Sequence, residues 1–439
     1  MIGFSIVLFR IHKKNDVAPT PIVENITIDK ENNVNIKISL DNDERKRNDI
    51  YYIYKKDNVI PNLNDSDWKL VKNNNISFKL DDNIYYAFLK NEDNEVYNIE
   101  DMEKIGKVTE FKVSKEKVYL AIKGTYKVSA EFDSIGYVED LVWSSDDEQI
   151  ATIKDSLITG IKKGNTKIHA KIGKEDKSID VIVTDLIIVR PKSYNRKKPY
   201  LKCGIYSKED NDLLDEILKD RINDVGYKTR ASAVEAARFL ALEFPYKIRY
   251  FSENGRGNTN GVDGEGRYYH VGLYLHESRF SSIKKRLAGP KTWGCSLYSR
   301  PSKGKRPNGL DCSGFVSWVM LNGGWDTGDI GAGLAPHRDL TDYGKRTNFN
   351  ASVVASGKVK VGDLLSSGGV GGGHIAIIVG EDNDYYYVAE SLWTPPNVAV
   401  VIIPYSKKTI FNRYYYVMLM DSYYKEDGKL TKTWWWNYG

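Results

Sequence analysis

The sequence predicts a multidomain fold, in which two all-β sandwich modules precede an α+β domain with helices packed on an antiparallel sheet. Three observations give this prediction. The length of 439 residues is enough for roughly three domains of about 150 residues each. Short apolar runs separated by Asn, Asp and Gly continue up to about residue 186. Helical periodicity comes next and strand-like runs come last, which is the order of an α+β domain.

Residues 1–20 contain a short apolar run before Arg10. The run has roughly nine apolar residues, fewer than the roughly 20 that a membrane helix needs. It also lacks the basic start and the small-residue cleavage site of a signal peptide. Two interpretations stay open: the remnant of an anchor or signal, and a first strand or ragged start. A membrane anchor is therefore expected only if residues before Met1 are missing.

Residues 21–105 and 107–186 share a pattern of short strands. The first range, with NITI, NVNIKISL and NIYYAFLK, predicts a small β-sandwich. In the second range we expect Trp143 as the inward-facing core aromatic and Gly160 and Gly164 at turns. The motifs WSSD, IATI and LITGIKKGNTKI of this range resemble the bacterial Ig-like domain of group 2. The resemblance implies a spacer or adhesive module of a bacterial surface protein, and the first sandwich is expected to be Ig-like too.

Residues 187–202 are basic and contain prolines, which predicts a solvated linker. Attraction to an anionic wall polymer is a second interpretation. Apolar residues at helical spacing then predict helices over 211–224 and 230–244. In the second helix, Ser232 is predicted as the N-cap, with Glu235 three residues later as its capping-box partner.

Residues 203–425 complete the predicted α+β domain, and 426–439 form an aromatic tail. The stretches KVGDLLSS, HIAIIVG, YYYVAESLW, VAVVIIPY and YYYVMLM predict strands of an antiparallel sheet. The tail KTWWWNYG fits two roles: binding glycan or a membrane interface through its aromatic faces, or docking on its own domain.

Charge and cysteine content exclude several classes of function. A net charge of +5 and a pI near 8.6 suit contact with anionic polymers but are far from a nucleic-acid-binding signature. Three scattered cysteines form neither a disulfide framework nor a zinc motif. No zinc site is therefore predicted, and the family resemblance given below implies no metal and no cofactor.

Cys312 lies in NGLDCSGFVSWVMLNGG, where a helix is predicted to begin at Asp311 or Cys312 and to run to about Leu321, with Gly323 and Gly324 ending it. The positive end of a helix favours a thiolate over a thiol. A contribution of about 2 kcal/mol, however, lowers the pKa of a thiol by only about 1.5 units. Two interpretations of Cys312 therefore remain: a buried structural cysteine and a nucleophile. The second requires an imidazole from elsewhere in the chain.

Among the six histidines, His374 is the best candidate for that imidazole. It opens the strand HIAIIVG directly after the glycine-rich stretch SSGGVGGG, where the absence of side chains leaves space for a substrate. The next strand, antiparallel to it, carries Glu390. A carboxylate there is suited to hold the far imidazole nitrogen and to stabilise the imidazolium, although a solvated acid at a strand end is equally compatible with the pattern.

Four motifs in fixed order resemble the NlpC-type, papain-like cysteine peptidases that act as peptidoglycan endopeptidases of bacterial cell walls. They are WGC (residues 293–295), NGLDCSGFVSW (308–318), VGDLL (361–365) and GHIAIIVG (373–380). The resemblance covers about residues 200–424 and is dense only from Lys291 onward. It implies a papain-like fold for the C-terminal domain.

The resemblance also implies roles for individual residues. Cys312 would be the nucleophile, His374 the general base and acid, and Glu390 the third residue that orients the imidazole. Asp311 and Ser313 would bind the free amino end of a stem peptide, and the backbone amide of Cys312 would contribute to an oxyanion hole.

Substrate binding is also expected of Trp293, in the WGC motif. Three departures from the family pattern concern Lys291, where an aromatic residue is common, Cys295, in place of a second glycine, and Glu390, where histidine, asparagine or glutamine is usual.

The functional expectation is a cell-wall hydrolase, outside the cell or on the surface of a bacterium, that cleaves amide bonds of peptidoglycan stem peptides. Stem peptides are its expected partners, together with anionic wall polymers as a second class, and no nucleic acid. Two alternatives stay open: a catalytically inactive wall-binding or adhesive protein, and an amidase or acyltransferase on the same scaffold. The long loop at 251–270 is expected to form a wall or lid of the cleft.

Overall fold

The computed structural model describes residues 21–29, 31–40, 49–57, 59–81, 85–91, 96–98, 110–132, 141–191, 206–248, 250, 271–273, 310–327, 344–368, 373–393 and 400–434. The N-terminal segment 1–20 and the loop at 251–270 lie outside these ranges. The chain divides into two compact units, of which the first comprises residues 1–118, 127–158 and 165–181 and the second comprises 119–126, 159–164 and 182–439. Among the described residues, no helix combines the length and the apolar character needed to cross a membrane.

The first predicted module contains two antiparallel sheets that share one apolar core. Its strands are β1 (Pro21–Ile28), β2 (Asn33–Leu40), β3 (Tyr51–Lys55), β4 (Lys69–Leu70), β5 (Asn75–Lys79), β6 (Tyr86–Lys90) and β7 (Val96–Asn98). The sheet orders are β1-β2-β5 and β4-β3-β6-β7. Strand β5 alternates exposed and buried residues, so that Ile76 and Phe78 enter the core with Val34 and Ile36 of β2 and Leu89 of β6. This two-sheet arrangement is the β-sandwich that the strand pattern predicts.

The second module is also built of strands. They are β8 (Phe111–Val113), β9 (Lys117–Ala121), β10 (Thr125–Lys127), β11 (Ala130–Phe132), β12 (Val142–Ser145), β13 (Ala151–Lys154), β14 (Leu157–Gly160), β15 (Gly164–Ile172) and β16 (Glu175–Thr184). Their sheet orders are β12-β15-β16-β9, β10-β14-β13 and β11-β8. The predicted role of Trp143 is wrong, because β12 is an edge strand on which Trp143 is only partly buried. Aliphatic residues such as Ile158, Ile168 and Ile179 are the fully buried ones.

Four α-helices are described in the second unit: α1 (Lys208–Val225), α2 (Arg230–Arg238), α3 (Cys312–Asn322) and α4 (Ala351–Ala355). A π-helical turn, Phe239–Glu243, extends α2. Helix α1 begins with a capping box, in which the Ser207 hydroxyl accepts from the Asp210 amide at 3.1 Å and the Asp210 carboxylate accepts from the Ser207 amide at 3.1 Å. Helices α1 and α2 therefore form where the apolar periodicity predicts them.

The N-cap of α2 is Thr229, and the prediction of Ser232 for that position is wrong. Ser232 is the third residue of the helix, where its hydroxyl accepts from the Thr229 amide at 3.2 Å and donates to the Gly323 carbonyl at 2.6 Å. Thr229-x-x-Ser232 and Ser232-x-x-Glu235 both suit a capping box, and the first one begins the helix one turn earlier. Glu235 is instead part of an ion-pair cluster described below.

A six-stranded sheet completes the second unit. Its strands are β17 (Lys345–Asn348), β18 (Leu364–Ser366), β19 (Ile375–Glu381), β20 (Tyr385–Ser391), β21 (Val400–Ser406) and β22 (Tyr416–Leu419), in the order β17-β22-β18-β19-β20-β21. All neighbouring pairs are antiparallel. Helices α2 and α3 pack on β19, which is buried from Ile375 to Gly380. The five predicted strands are thus present and paired as an antiparallel sheet.

The start of the predicted linker, residues 187–202, is not a solvated tether. The side chain of Arg190 is 4% exposed and bonds to Glu235 and, at 2.8 Å, to Glu243. Glu243 also accepts from Arg221 at 2.9 Å. The basic, proline-containing sequence predicts that Arg190 is exposed to solvent. In the structure it is buried, because buried carboxylates from a distant part of the chain pair with it. Residues 192–202 lie outside the described part of the chain.

The aromatic tail docks on its own unit through Trp434, which is 1% exposed. Its indole N–H donates to the carbonyl of Pro191 at 2.9 Å, and its ring packs edge-on against Tyr387, with centroids 5.3 Å apart. Gly380 lies directly under the indole, because a Cβ at this position would be 3.1 Å from the ring. Docking is therefore the described role of Trp434, while residues 435–439 lie outside the described ranges.

Replacing Trp434 by alanine is expected to destabilise the second unit by about 3–5 kcal/mol, because it leaves a cavity and an unsatisfied carbonyl at Pro191. The midpoint of its thermal transition should fall by roughly 10 °C in calorimetry of the full chain. Trp393→Ala is the matched control, since Trp393 is 66% exposed and its removal should change stability by no more than about 0.5 kcal/mol. Equal shifts for the two variants would contradict the docking.

Candidate active site

Cys312 is the first residue of α3, where the local sequence fixes the start of the helix. Asp311 is the N-cap, and its Oδ1 accepts from the Gly314 amide at 2.7 Å and from the Ser313 hydroxyl at 3.1 Å. The thiol therefore lies at the positive end of an 11-residue helix. Cys312 is 4% exposed and belongs to the main apolar core of the unit.

His374 directly precedes β19 and is held by Ser367 at the end of the neighbouring strand β18. The backbone amide of His374 donates to the Ser367 hydroxyl at 3.0 Å, and its carbonyl accepts from the Ser367 amide at 2.9 Å. The imidazole is 18% exposed. Two backbone contacts on one residue thus fix the main chain from which the imidazole projects.

The side chain of Cys312 lies close enough to His374 to influence the pKa of the imidazole, so the structure brings together the two residues that the sequence predicts as nucleophile and base. Burial of the imidazole opposes its charged form. The interaction with Cys312, together with the hydrogen bond and the charge of Glu390, outweighs that effect and raises the pKa of His374 to about 9. The imidazole is therefore mainly protonated at neutral pH.

Glu390 lies on β20, beside the start of β19, and is 0% exposed. Its Oε2 accepts from the Nε2 of His374 at 2.6 Å, which leaves Nδ1 as the ring nitrogen for Cys312. Burial raises the pKa of this carboxyl. The hydrogen bond and charge of His374 and the charge of Arg413 lower it by more than burial raises it, so the pKa lies below its usual value. Glu390 thus serves the imidazole as an ionised partner.

A second contact joins the strand of Glu390 to the start of α3. The hydroxyl of Ser391, the next residue after Glu390, donates to the carbonyl of Leu310 at 2.7 Å. Leu310 immediately precedes the N-cap of α3. Because both residues are buried, this bond fixes the distance between the strand that carries the carboxylate and the helix that carries the thiol.

Three further partners surround Glu390. Tyr405 on β21 donates to Oε1 at 2.6 Å, while Tyr414 donates to Oε2 at 2.8 Å. Arg413 donates to Oε2 at 3.3 Å. Sequence reasoning missed all three, although the aromatic run RYYYVML (413–419) is a signal that could have drawn attention to Arg413 and Tyr414.

Tyr250 is another residue that sequence reasoning missed. It lies beside Cys312, and burial together with the interactions with Cys312 and Asp311 raises the pKa of Tyr250. The hydroxyl therefore stays protonated and is available as a donor to the sulfur. The ring of Tyr250 packs edge-on against Trp393, with centroids 5.5 Å apart, and Trp393 is 66% exposed.

Of the three predicted substrate-binding residues, Asp311 and Ser313 lie in the described part of the chain. Asp311 and Ser313 flank Cys312, are 7% and 4% exposed, and bond to each other as described above. Their role toward a stem peptide stays a prediction. Trp293 lies outside the described residues, and so do Lys291 and Cys295. Among the described residues, no group of three or more histidine, cysteine, aspartate or glutamate side chains has the geometry of a metal site.

A cysteine beside an imidazole that is bonded to a buried carboxylate is an arrangement suited to nucleophilic chemistry. The carboxylate fixes the tautomer of the imidazole, and the cysteine lies in the first turn of a helix, where backbone N–H groups lack helical partners. The three side chains come from α3, from the start of β19 and from β20, three separate parts of the chain.

Comparison with known proteins identifies one module. Residues 107–182 match the family model of the bacterial Ig-like domain (group 2), so the second module is such a domain. No protein of curated function matches the sequence.

Solved structures with similar parts have low identity. Domains 4 and 5 of the S-layer protein SbsC are 18% identical over 22% of this chain and 64% of theirs, with a TM-score of 0.17. Domains 5-6 of SbsC are 20% identical over 24% of this chain and 58% of theirs, with a TM-score of 0.16. The central fibronectin-III array of RIM-binding protein is 11% identical over 42% of this chain and 76% of its own, with a TM-score of 0.17. This chain thus spans less than two thirds of the length of either SbsC structure.

Proposed function

We propose that the second unit is a papain-like cysteine peptidase of the NlpC type, which hydrolyses amide bonds in peptidoglycan stem peptides. One observation carries the proposal: the Cys312 side chain lies beside the imidazole of His374, whose Nε2 bonds to the buried carboxylate of Glu390 at 2.6 Å. A structural cysteine needs no imidazole with a raised pKa and no carboxylate aligned behind it. The D-C-S-G and G-H motifs, which place Cys312 and His374, support the same family.

The proposed reaction has two steps. The Cys312 thiolate attacks the carbonyl carbon of the amide, and the oxyanion that forms is stabilised by the Cys312 backbone N–H. As the C–N bond breaks, His374 gives its proton to the leaving amine, and a thioester remains. Water then attacks the thioester carbon, neutral His374 accepts the proton of the water, and cleavage of the C–S bond returns thiolate and imidazolium. Atoms and charge balance without a metal or redox partner.

The substrate class follows from the family resemblance and from charge. Asp311 lies beside the nucleophile and suits a peptide with a free amino end, with Ser313 next to it. Trp293 is the third proposed contact. A net charge of +5 favours binding near anionic wall polymers. We infer a location outside the cell or on the bacterial surface, which the bacterial Ig-like domain at residues 107–182 supports as a spacer or adhesive module.

Digestion of purified muropeptides by the full chain tests this function. We expect products in which one stem-peptide amide has been replaced by one new amino group and one new carboxyl, identified by mass spectrometry. In water enriched in oxygen-18, the new carboxyl should gain a single heavy oxygen, because water resolves the thioester.

Other outcomes would identify the alternatives. Products that carry an added amine in place of the heavy oxygen would indicate an acyltransferase. Muropeptides that stay intact at all enzyme concentrations would contradict the hydrolase and favour a wall-binding protein. Slow reaction of Cys312 with iodoacetamide at pH 6, no faster than that of an ordinary thiol, would contradict the pairing with an imidazolium.

A further inference from the structure

We propose that Arg413 is a positioning residue, which keeps Glu390 ionised while His374 alternates between its protonated and neutral forms. This inference rests on the proposed function. It concerns a residue that no motif of the family assigns. The observations that carry it are the contacts of Glu390, the burial of its carboxylate and the charge of each partner.

The position of Arg413 relative to Glu390 is well defined. Arg413 follows the 3-10 turn Ile410–Asn412, and its Nη2 donates to Glu390 Oε2 at 3.3 Å. The guanidinium lies 5.5 Å from the ring centroids of both Tyr405 and Tyr414. Its side chain is 43% exposed, whereas the Glu390 side chain is 0% exposed. Arg413 therefore places a positive charge between solvent and a fully buried carboxylate.

Arg413 differs from the other groups around Glu390 and His374 in its charge. Among the described residues, the titratable and charged groups that face Glu390, His374 or Cys312 are Asp311 at the start of α3, Tyr250, Tyr405 on β21, Arg413 and Tyr414. Burial and the charge of Glu390 raise the pKa of both Tyr405 and Tyr414, so these two donate hydrogen bonds but carry no charge. Among the described partners of Glu390, Arg413 is the one whose positive charge is permanent.

The catalytic cycle changes the other positive charge. His374 is an imidazolium when the thiolate attacks, but it is neutral once its proton has passed to the leaving amine. Glu390 then faces a neutral ring, and an isolated buried carboxylate would be costly. Without Arg413, that cost would hold the proton on His374, because the imidazolium would then be the one cation left for the carboxylate within the described part of the chain.

The consequence falls on the second step of the reaction. Resolution of the thioester requires neutral His374 as the base for water. By supplying a charge that stays in place, Arg413 lowers the affinity of His374 for its proton and allows the imidazole to become neutral. The tyrosines hold the carboxylate in place but cannot perform this function, since they contribute dipoles and no charge.

The primary test is the titration of His374 by NMR in a Cys312→Ala background, which needs no turnover. Arg413→Met should raise the pKa of His374 by about one unit, the size expected for loss of a partly screened charge nearby. Arg413→Lys keeps the charge and should stay close to the parent. Arg346→Met is the matched control, because Arg346 lies over the ring of Tyr416, 3.9 Å from its centroid, and not against Glu390. This variant should leave the pKa of His374 unchanged.

The second test is kinetic and uses a nitrophenyl ester, whose leaving group reports acylation directly. In Arg413→Met the initial burst of nitrophenol should be retained, while the later steady rate at pH 7 falls about tenfold, because its pH profile moves upward by about one unit. A His374 pKa that stays unchanged or falls in Arg413→Met overturns the inference. Failure of the full chain to cleave muropeptides would instead contradict the proposed function and would leave the titration result decisive for Arg413.

Discussion

Replacing Cys312 by alanine is expected to lower kcat/KM for stem-peptide hydrolysis by at least ~10⁴-fold, because removal of the nucleophile leaves only binding and oxyanion stabilisation. No other cysteine is present among the described residues, so no second thiol of that part of the chain substitutes for it. The measurement is the initial rate of appearance of new amino groups from purified muropeptides, with wild-type and variant protein at equal concentration.

Two further variants make this result specific. Cys203→Ala removes a different cysteine and should leave the rate unchanged. Cys312→Ser keeps the size and the hydrogen-bonding capacity of the side chain but supplies a much weaker nucleophile, so it should be nearly as inactive as Cys312→Ala while keeping the fold. Muropeptide cleavage by Cys312→Ala at more than about a tenth of the wild-type rate would disprove the assignment of the nucleophile.

Replacing Glu390 by glutamine should lower kcat/KM at pH 7.5 by roughly 100-fold or more, because the amide orients the imidazole but removes the charge that favours the imidazolium. Thiolate attack requires protonated His374, whose pKa is about 9. The alkaline limb of the wild-type profile should therefore lie near pH 9, and Glu390→Gln should move it to lower pH. The measurement is kcat/KM against pH, which reports the free enzyme.

The same substitution should alter the pH dependence of stability. The pKa of His374 is about 9 in the folded chain against 6.5 as its ordinary value, so its stabilising effect is complete below pH 6.5 and is lost as the pH rises through 9. This effect is on the order of 3 kcal/mol. Between these pH values the free energy of unfolding should fall less in Glu390→Gln than in the wild type.

Glu381→Gln is a suitable control for both measurements. Glu381 ends β19 and pairs with Lys407 and Lys432 at 2.9 and 3.1 Å, away from the imidazole. Its carboxylate is 14% exposed. We expect the alkaline limb to stay in place in this variant. If Glu381→Gln and Glu390→Gln displaced the limb equally, the effect would come from overall charge and not from the contact with His374.

The elements that carry Cys312 and His374 could be predicted because their signals are local. Asp311 before a run of apolar residues, with Gly323 after it, defines both ends of a helix within a short stretch of sequence. The apolar run after His374 similarly defines a strand. Glu390 could be predicted as a neighbour because the EDND turn forces β20 to run antiparallel beside β19, where Ile377 pairs with Ala389.

The rest of the candidate site could not be predicted, because its contacts join distant parts of the chain. Tyr405 and Arg413 reach Glu390 from β21 and from the turn after it, and no local periodicity indicates which face of those segments lies inward. Tyr250 reaches Cys312 across an even longer stretch of sequence. A single sequence also gives no sign of burial for Arg190, since a charged residue is normally solvated.

The burial of Arg190 has a consequence for how such proteins exchange modules during evolution. A recombination point at Cys203, where the sequence suggests that a domain starts, would separate Arg190 from Glu235 and Glu243. Glu243 would then keep Arg221, while Glu235 would lose the guanidinium of Arg190, a loss typically worth about 3–5 kcal/mol. A gene fusion that preserves this ion-pair cluster must therefore carry the residues from about Leu186 onward, so that this connecting segment is inherited with α1 and α2 and not with the module before it.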